Sequence, residues 1–240
     1  MTRASGSRLT GEERLAAIIK AIRRIFAEKG FHGTTTKELA AAAGVSEALL
    51  FRHFPNKKAL YTAMEQACFT EEDFRKFSGL EALDPSTGTL VYLVHDLASH
   101  VIGRAGTHDD DEWIHSRLMF HSLIGDGEYA RLVIQGMPTR GKQKLQACIK
   151  AAVAAGEASD TPVRSELAGL FVFHLVAMIR IHMQHEYPVV DYGVSRKKLV
   201  EQVVWFVLRG FGLTDTAIRR WYTQETLTRL SRQVSRHGSM

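Results

Sequence analysis

Residues 34–58 read TTTKELAAAAGVSEALLFRHFPNKK, and the spacing within them decides the fold. Thr35 followed by Glu38 makes a capping box, in which hydroxyl and carboxylate each satisfy a free backbone N–H of the first helical turn. The alanine run behind it predicts a helix over 36–43, because alanine is the best helix former. Gly44 ends that helix, since only glycine enters the left-handed conformation without steric cost. Ser46 caps a second helix running to about Phe54, and Pro55 stops it. Leu39, Ala43, Val45, Leu50 and Phe54 are spaced to make a small core between the two helices. Glu47, Ala48, Leu49, Arg52 and His53 are left around the outer side.

Two short helices about a glycine turn form either a helix-turn-helix or an ordinary hairpin of a larger bundle. The longer pattern separates the two. Thr35-Thr36, Leu39-Ala40, Ala43-Gly44-Val45-Ser46, Leu50-Phe51-Arg52-His53-Phe54 and Asn56-Lys57 resemble the DNA-binding signature of the tetracycline-repressor (TetR) family of bacterial transcription regulators. The run from Phe26 to Thr35 resembles the end of that family's first helix. The likeness covers about residues 12–213 and is sharp in the head. Farther on, Gly156-Glu157 and the phrase WFVLRGFG at 205–212 carry it more loosely.

The resemblance implies a DNA-binding set of Thr35, Thr36, Lys37, Ser46, Glu47, Ala48, Leu49, Phe51, Arg52, His53 and Lys57. Thr36, His53 and Lys57 are expected at phosphates; Lys37, Glu47, Ala48, Leu49 and Arg52 at base edges. The family often has Tyr where this chain has Phe51, so a hydroxyl contact to the backbone is missing there. Lys57 and Lys58 open a helix capped by Asn56, where the dipole disfavours cations. A nearby phosphate would relieve that, which favours a DNA contact for Lys57 over a structural role.

Charge agrees with the motif. Residues 1–58 hold 11 Lys/Arg against 5 Asp/Glu, residues 59–213 hold 15 against 19, and residues 214–240 hold 5 against 2. A basic end that contains a helix-turn-helix is the footprint of a polyanion-binding module. With 45% hydrophobic and 24% charged residues, the composition is that of a soluble globular protein. Cys68 and Cys148 stand far apart with no C-x-x-C between them, which predicts reduced thiols and a cytoplasmic protein. The first residues lack an apolar signal segment, and 1–9 read as a disordered arm. The longest uncharged apolar stretch, 167–179, falls short of the roughly 20 residues a bilayer demands. It reads as a buried helix, and no membrane partner is expected.

The rest of the chain is all-α by pattern. Expected helices run over 10–29, 56–78, 89–104, 109–124, 128–136, 141–155, 163–186, 195–210 and 214–235. This gives a disordered arm at 1–9 and a three-helix DNA-binding head at 10–58. Helix 56–78 connects it to an effector-binding and dimerisation core at 59–213, and an extra C-terminal helix and tail fill 214–240. There is no G-x-S-x-G, no H-E-x-x-H and no Cys-His signature, so no enzyme is expected. His174, His182 and His185 share roughly one helical face, but nothing nearby completes a ligand set. The acids at 109–112 read as a helix start. No metal and no cofactor are expected.

The core mixes apolar residues with Tyr92, His95, Trp113, Phe120, His121, Phe173 and His174, a composition suited to a pocket between bundle helices. The resemblance implies a small effector bound there and a four-helix homodimer interface from the last two core helices. The expected function is therefore a homodimeric regulator on a near-palindromic double-stranded DNA operator. The expected mode is a repressor released by a small apolar or amphipathic effector. The alternatives are control by a protein partner or a metal, or a helical ligand-binding protein or enzyme.

Overall fold

The computed structural model describes residues 10–67, 78–103, 111–136, 139–161, 163–183 and 189–237, with backbone alone at 111–112, 135–136 and 139–140. The expected arm at 1–9, Cys68 and His185 lie outside the described residues. Twelve α-helices and no strand occur among the described residues. The chain divides into two compact units, one of residues 1–69 with 117–132 and one of residues 70–116 with 133–240. The sequence predicts a single boundary near residue 58 and assigns 117–132 to the core.

The first unit contains α1 (Gly11–Gly33), α2 (Thr36–Ala42), α3 (Glu47–His53) and α4 (Lys57–Gln66). It also contains residues 117–124 of α6 (Asp111–Ile124) and the start of α7 (Glu128–Gly136). Ile18, Ile22, Phe26 and Ala27 form the buried stripe of α1 and meet Leu39, Leu50, Leu60, Tyr61 and Met64 in the unit's interior. Phe26 and Tyr61 pack edge to face at 4.9 Å. Thr10 and Glu13 cap α1 reciprocally.

The second unit is built on α5 (Thr87–Ala98), α8 (Thr139–Ala154), α9 (Ser165–His182) and α10 (Arg196–Gly210). Ser86 caps α5 by accepting from the Thr89 N–H at 3.1 Å, and α5 ends in one π-helical turn, Ser99–Gly103. Leu90, Val94, Cys148, Val172, Val176, Val203, Val204 and Val207 lie in one continuous core. A short antiparallel bridge pairs Ala158 with Leu213. Gly212 sits there at φ +85°, and a methyl group on it would overlap the Ser159 carbonyl. That is why the two glycine phrases of the sequence meet.

Two expectations change. The helix at 163–186 is not wholly buried: Leu167, Phe171, His174 and Met178 form one exposed stripe along α9, opposite buried Ala168, Val172, Val176 and Ile179. By length and composition α9 is apolar enough to cross a membrane, but only one face of it is both apolar and bare. The tail is two helices, α11 (Asp215–Trp221) and α12 (Gln224–His237), not one. Tyr222 at φ −84°, ψ 67° breaks it. Both pack on α5, with Ile218, Leu230 and Val234 buried.

Candidate nucleic-acid interface and core cavity

The helix-turn-helix is assembled by local hydrogen bonds that the sequence encodes. Thr35 caps α2 with Glu38 reaching back to its N–H at 2.9 Å. Lys29 forms an ion pair with the same carboxylate. The Lys29 ammonium, then the Thr35 backbone and hydroxyl donors, hold the Glu38 carboxyl down to about 2. At the end of α2, Val45 N–H donates to Ala40 O at 3.0 Å and Gly44 N–H to Ala41 O at 3.1 Å. This paired closure needs a left-handed residue, and Gly44 supplies φ +65°. Ser46 then caps α3 by accepting from the Leu49 N–H at 3.1 Å.

These caps fix which side of α3 faces out. Leu50 and Phe54 are buried with Leu39. Glu47, Ala48, Phe51 and Arg52 are exposed, as are Thr35, Lys37 and Ser46, while Leu49 and Thr36 are half-covered. Thr36 donates to the Glu47 carboxylate at 2.8 Å, so two residues expected on DNA hold each other across the turn. The outer side therefore offers a guanidinium, a carboxylate and a small residue that permits close approach. Such a face can read base edges in a major groove.

Two residues sit differently from expectation. The Lys57 ammonium donates at 2.8 Å to the carbonyls of both Phe31 and Thr34 and lies 4.4 Å over the Phe31 ring. It thus ties the start of α4 to the chain leaving α1, a structural role that the dipole argument on α4 discounted. That argument considered only the helix that carries Lys57 and not the carbonyls facing it. His53 is half-buried with its Nε2 enclosed and without a hydrogen-bond partner, which withholds that atom from a phosphate in this conformation.

Behind the head, Gly30 bends α1 at φ +68°, ψ 175°. Only glycine occupies that region readily. The bend makes room for His121, whose Nδ1 would stand 2.9 Å from a methyl group at Gly30. Arg117 donates to Ala27 O at 3.3 Å and Glu28 O at 3.4 Å, near the negative end of α1's straight portion. Burial, with the Arg117 charge beside it, pushes His121 down from the usual imidazole range. No motif in the sequence marks this anchorage.

The second unit contains an apolar cavity of about 300 Å³. Its wall comes from Leu80, Leu93, Leu97, Leu145, Leu170 and Phe173, and Glu81, Asp96, His100, Lys142 and Glu166 also line it. A second cavity of about 490 Å³ is lined in part by Gln146, Lys150, Asp160, Thr161 and Arg164. Of the seven pocket residues expected from sequence, Phe173 alone lines the first cavity. Tyr92 packs with Leu83, Leu230 and Val234. His95 is bound to the Tyr222 hydroxyl at 3.2 Å, where burial lowers the imidazole and pushes Tyr222 up to about 12. Phe120 and His121 belong to the other unit. Trp113 is buried and His174 faces outward. The cavity is walled mainly by leucines of the amphipathic stripes, with Phe173 and Phe211 beside them, and the seven expected residues do not gather around it.

Residues 18–64 match the model of the family described as bacterial regulatory proteins, tetR family. The head is similar to tetR-family heads. The transcriptional activator FasR of Mycolicibacterium smegmatis is 38% identical over 61 residues, 25% of this chain and 28% of its own. The chain thus spans about a quarter of the length of the curated relatives it matches. Solved tetR-family structures extend the likeness in fold to the second unit. A tetR-family regulatory protein from Rhodococcus RHA1 aligns over 85% of this chain and 99% of its own, with TM-score 0.59 and 20% identity. AibR, in complex with isovaleryl coenzyme A and operator DNA, aligns over 81% and 97%, with TM-score 0.57 and 19% identity.

Proposed function

We propose that this chain is a sequence-specific, DNA-binding transcriptional regulator. In this reading it is a cytoplasmic homodimer on a near-palindromic operator, a repressor released by a small apolar or amphipathic effector. The observation that carries it is α3, capped by Ser46 and presenting Glu47, Ala48 and Arg52 on one exposed side of a tetR-family head. Arg52 has the reach and the forked donors for guanine, Lys37 and Glu47 flank it, and Ala48 and Leu49 allow close approach. Thr35, Thr36 and Ser46, at the starts of the two helices, and Lys57 approach the phosphates. Phe51 contributes contact without a hydroxyl.

The apolar cavity, ringed by Glu81, Asp96, His100, Lys142 and Glu166, suits an amphipathic molecule better than a protein partner. A structural neighbour held both an acyl-coenzyme A and operator DNA, which supports ligand-controlled DNA binding on this fold. The exposed stripe of α9, together with Phe206 of α10, supports an isologous dimer, since a bare apolar band of this kind is buried by a second copy of itself. Effector and operator would then act by reciprocal coupling, each favouring a different spacing of the two α3 helices.

The test is selection of binding sites from random duplex DNA, followed by binding measurements on the winner. A near-palindrome is expected, with affinity falling steeply as salt rises. Arg52→Ala should relax preference at one position of each half-site, at a cost of about 1–3 kcal/mol. Absence of any enriched sequence would refute the reading.

A further inference from the structure

The operator-and-effector reading leaves α12 unused, yet its position is tightly specified. Leu230 and Val234 are buried against Leu83 and Tyr92, with Leu80 and Leu227 alongside. Ser231 of α12 lies beside the Tyr92 side chain. Arg229, Arg232 and Arg236 recur at three- and four-residue steps on the outer face, exposed. At Gly79 the two backbones touch: a methyl group there would overlap the Val234 carbonyl oxygen and stand 2.9 Å from its Cγ1. Gly79 therefore lets α12 lie flush on the segment at 78–84.

That segment is a wall of the apolar cavity. Leu80 and Glu81 line it directly. Its far end is gripped from α8, where Lys144, another lining residue, donates to Leu83 O at 2.5 Å. The near end of the tail is equally fixed. Trp221 Nε1 donates to both Glu157 oxygens at 2.9 Å. The Trp221 ring covers Gly88, where a methyl group would stand 3.0 Å from Cε3. Between these anchorages the chain is non-helical at Tyr222 and Thr223, a natural pivot for α12.

We propose that α12 is a clamp on the effector cavity: by pressing on Gly79 and the leucines at 80 and 83, it holds the 78–84 wall against the bound molecule. None of its residues line the cavity, so Val234 and Leu230 are positioning residues for binding. Gly79 sets how close the clamp comes. This rests on reading the cavity as the effector site.

The experiment uses the full-length chain and N-phenyl-1-naphthylamine, an apolar fluorescent probe, with Leu97→Trp as a variant that fills the cavity. Val234→Asp places a carboxylate in a buried apolar contact and unseats α12. Gly79→Ala pushes α12 away by overlap with its backbone. Trypsin cleavage after Arg229 and Arg232 reports the release, and Leu230→Asp is added where α12 stays seated. The expected result is probe uptake by the wild type, its loss in Leu97→Trp, and probe dissociation at least about tenfold faster once α12 is released. Release of α12 with probe dissociation unchanged within about twofold would overturn the clamp and leave the cavity reading intact. Failure of the wild type to take up the probe, or uptake indifferent to Leu97→Trp, would overturn both. Where Gly79→Ala does not fold, Val234→Asp decides alone.

Discussion

The Lys57 ammonium donates to the Phe31 carbonyl at 2.8 Å while resting 4.4 Å over the Phe31 ring. One residue at the start of α4 thereby holds the chain between α1 and α2, on which α2 and α3 are mounted. With the Thr34 carbonyl taken as well, one N–H remains for an outside acceptor. Lys57→Ala should destabilise the protein by about 2 kcal/mol, the scale of charged hydrogen bonds. It should also weaken every DNA sequence about equally and lower the salt slope by about 1. Urea unfolding and salt-dependent titration measure the two effects separately. A change in sequence preference alone would contradict this assignment.

Gly30 is the second constraint on the head. Its φ of +68° with ψ of 175° excludes side chains on backbone grounds, and the imidazole of His121 excludes them by contact. Gly30→Ala should cost about 2–4 kcal/mol. The double variant Gly30→Ala/His121→Ala should recover only the contact share, because the backbone strain stays. Full recovery in thermal melts would mean that φ carries no strain here.

The head was legible because its determinants are local. Thr35 with Glu38, Gly44 and Ser46 act within one helical turn of themselves, so spacing alone predicted α2, the turn and α3. The tie made by Lys57 and the lining of the cavity are not legible in the sequence, because their environments come from distant segments. Phe31 and Thr34 lie 26 and 23 residues from Lys57, and no periodicity announces such a contact. Likewise Leu93 and Leu97, which line the cavity, belong to the same apolar stripe of α5 as buried Leu90, which does not. Only packing separates the residues that face the cavity from those that fill the core. The break at Tyr222-Thr223 contains neither Gly nor Pro; Thr223 caps α12 there by accepting from the Thr226 N–H at 3.2 Å, a local signal that a single continuous apolar stripe masks.

The carboxyl of Glu38 gives the head a defined acid response. Its folded value is lowered to about 2 from an ordinary 4.5 by the Lys29 ammonium first and the Thr35 donors second. A lowered folded value means stability present above the ordinary value and lost as pH falls through the folded one. The window is therefore about pH 4.5 down to about 2. Glu38→Gln should be less stable than wild type at neutral pH, and the gap should close as pH drops through that window. Parallel stability curves for the two proteins from pH 6 to about 2 would show that ionisation of Glu38 is not coupled to folding.

The last prediction concerns the bare face of α9 and α10. Phe206 is 70% exposed, Phe171 56%, Met178 49% and Leu167 43%. Solvent alone is a poor partner for so many large apolar groups on two neighbouring helices, and a two-fold contact would pair each stripe with its own copy. Phe206→Glu and Phe171→Glu put like charges face to face across such an axis and remove apolar burial on both sides. Each should weaken self-association by about two decades or more, read by sedimentation across a concentration series. Because both side chains already stand in solvent within one chain, the melting of the monomer should change by only about 0.5 kcal/mol. DNA binding separates this from a purely structural effect. A monomer keeps one α3 and should still bind a half-site weakly, while affinity for the full near-palindrome collapses toward that of the half-site. Undiminished self-association in both variants would place the dimer contact on another surface.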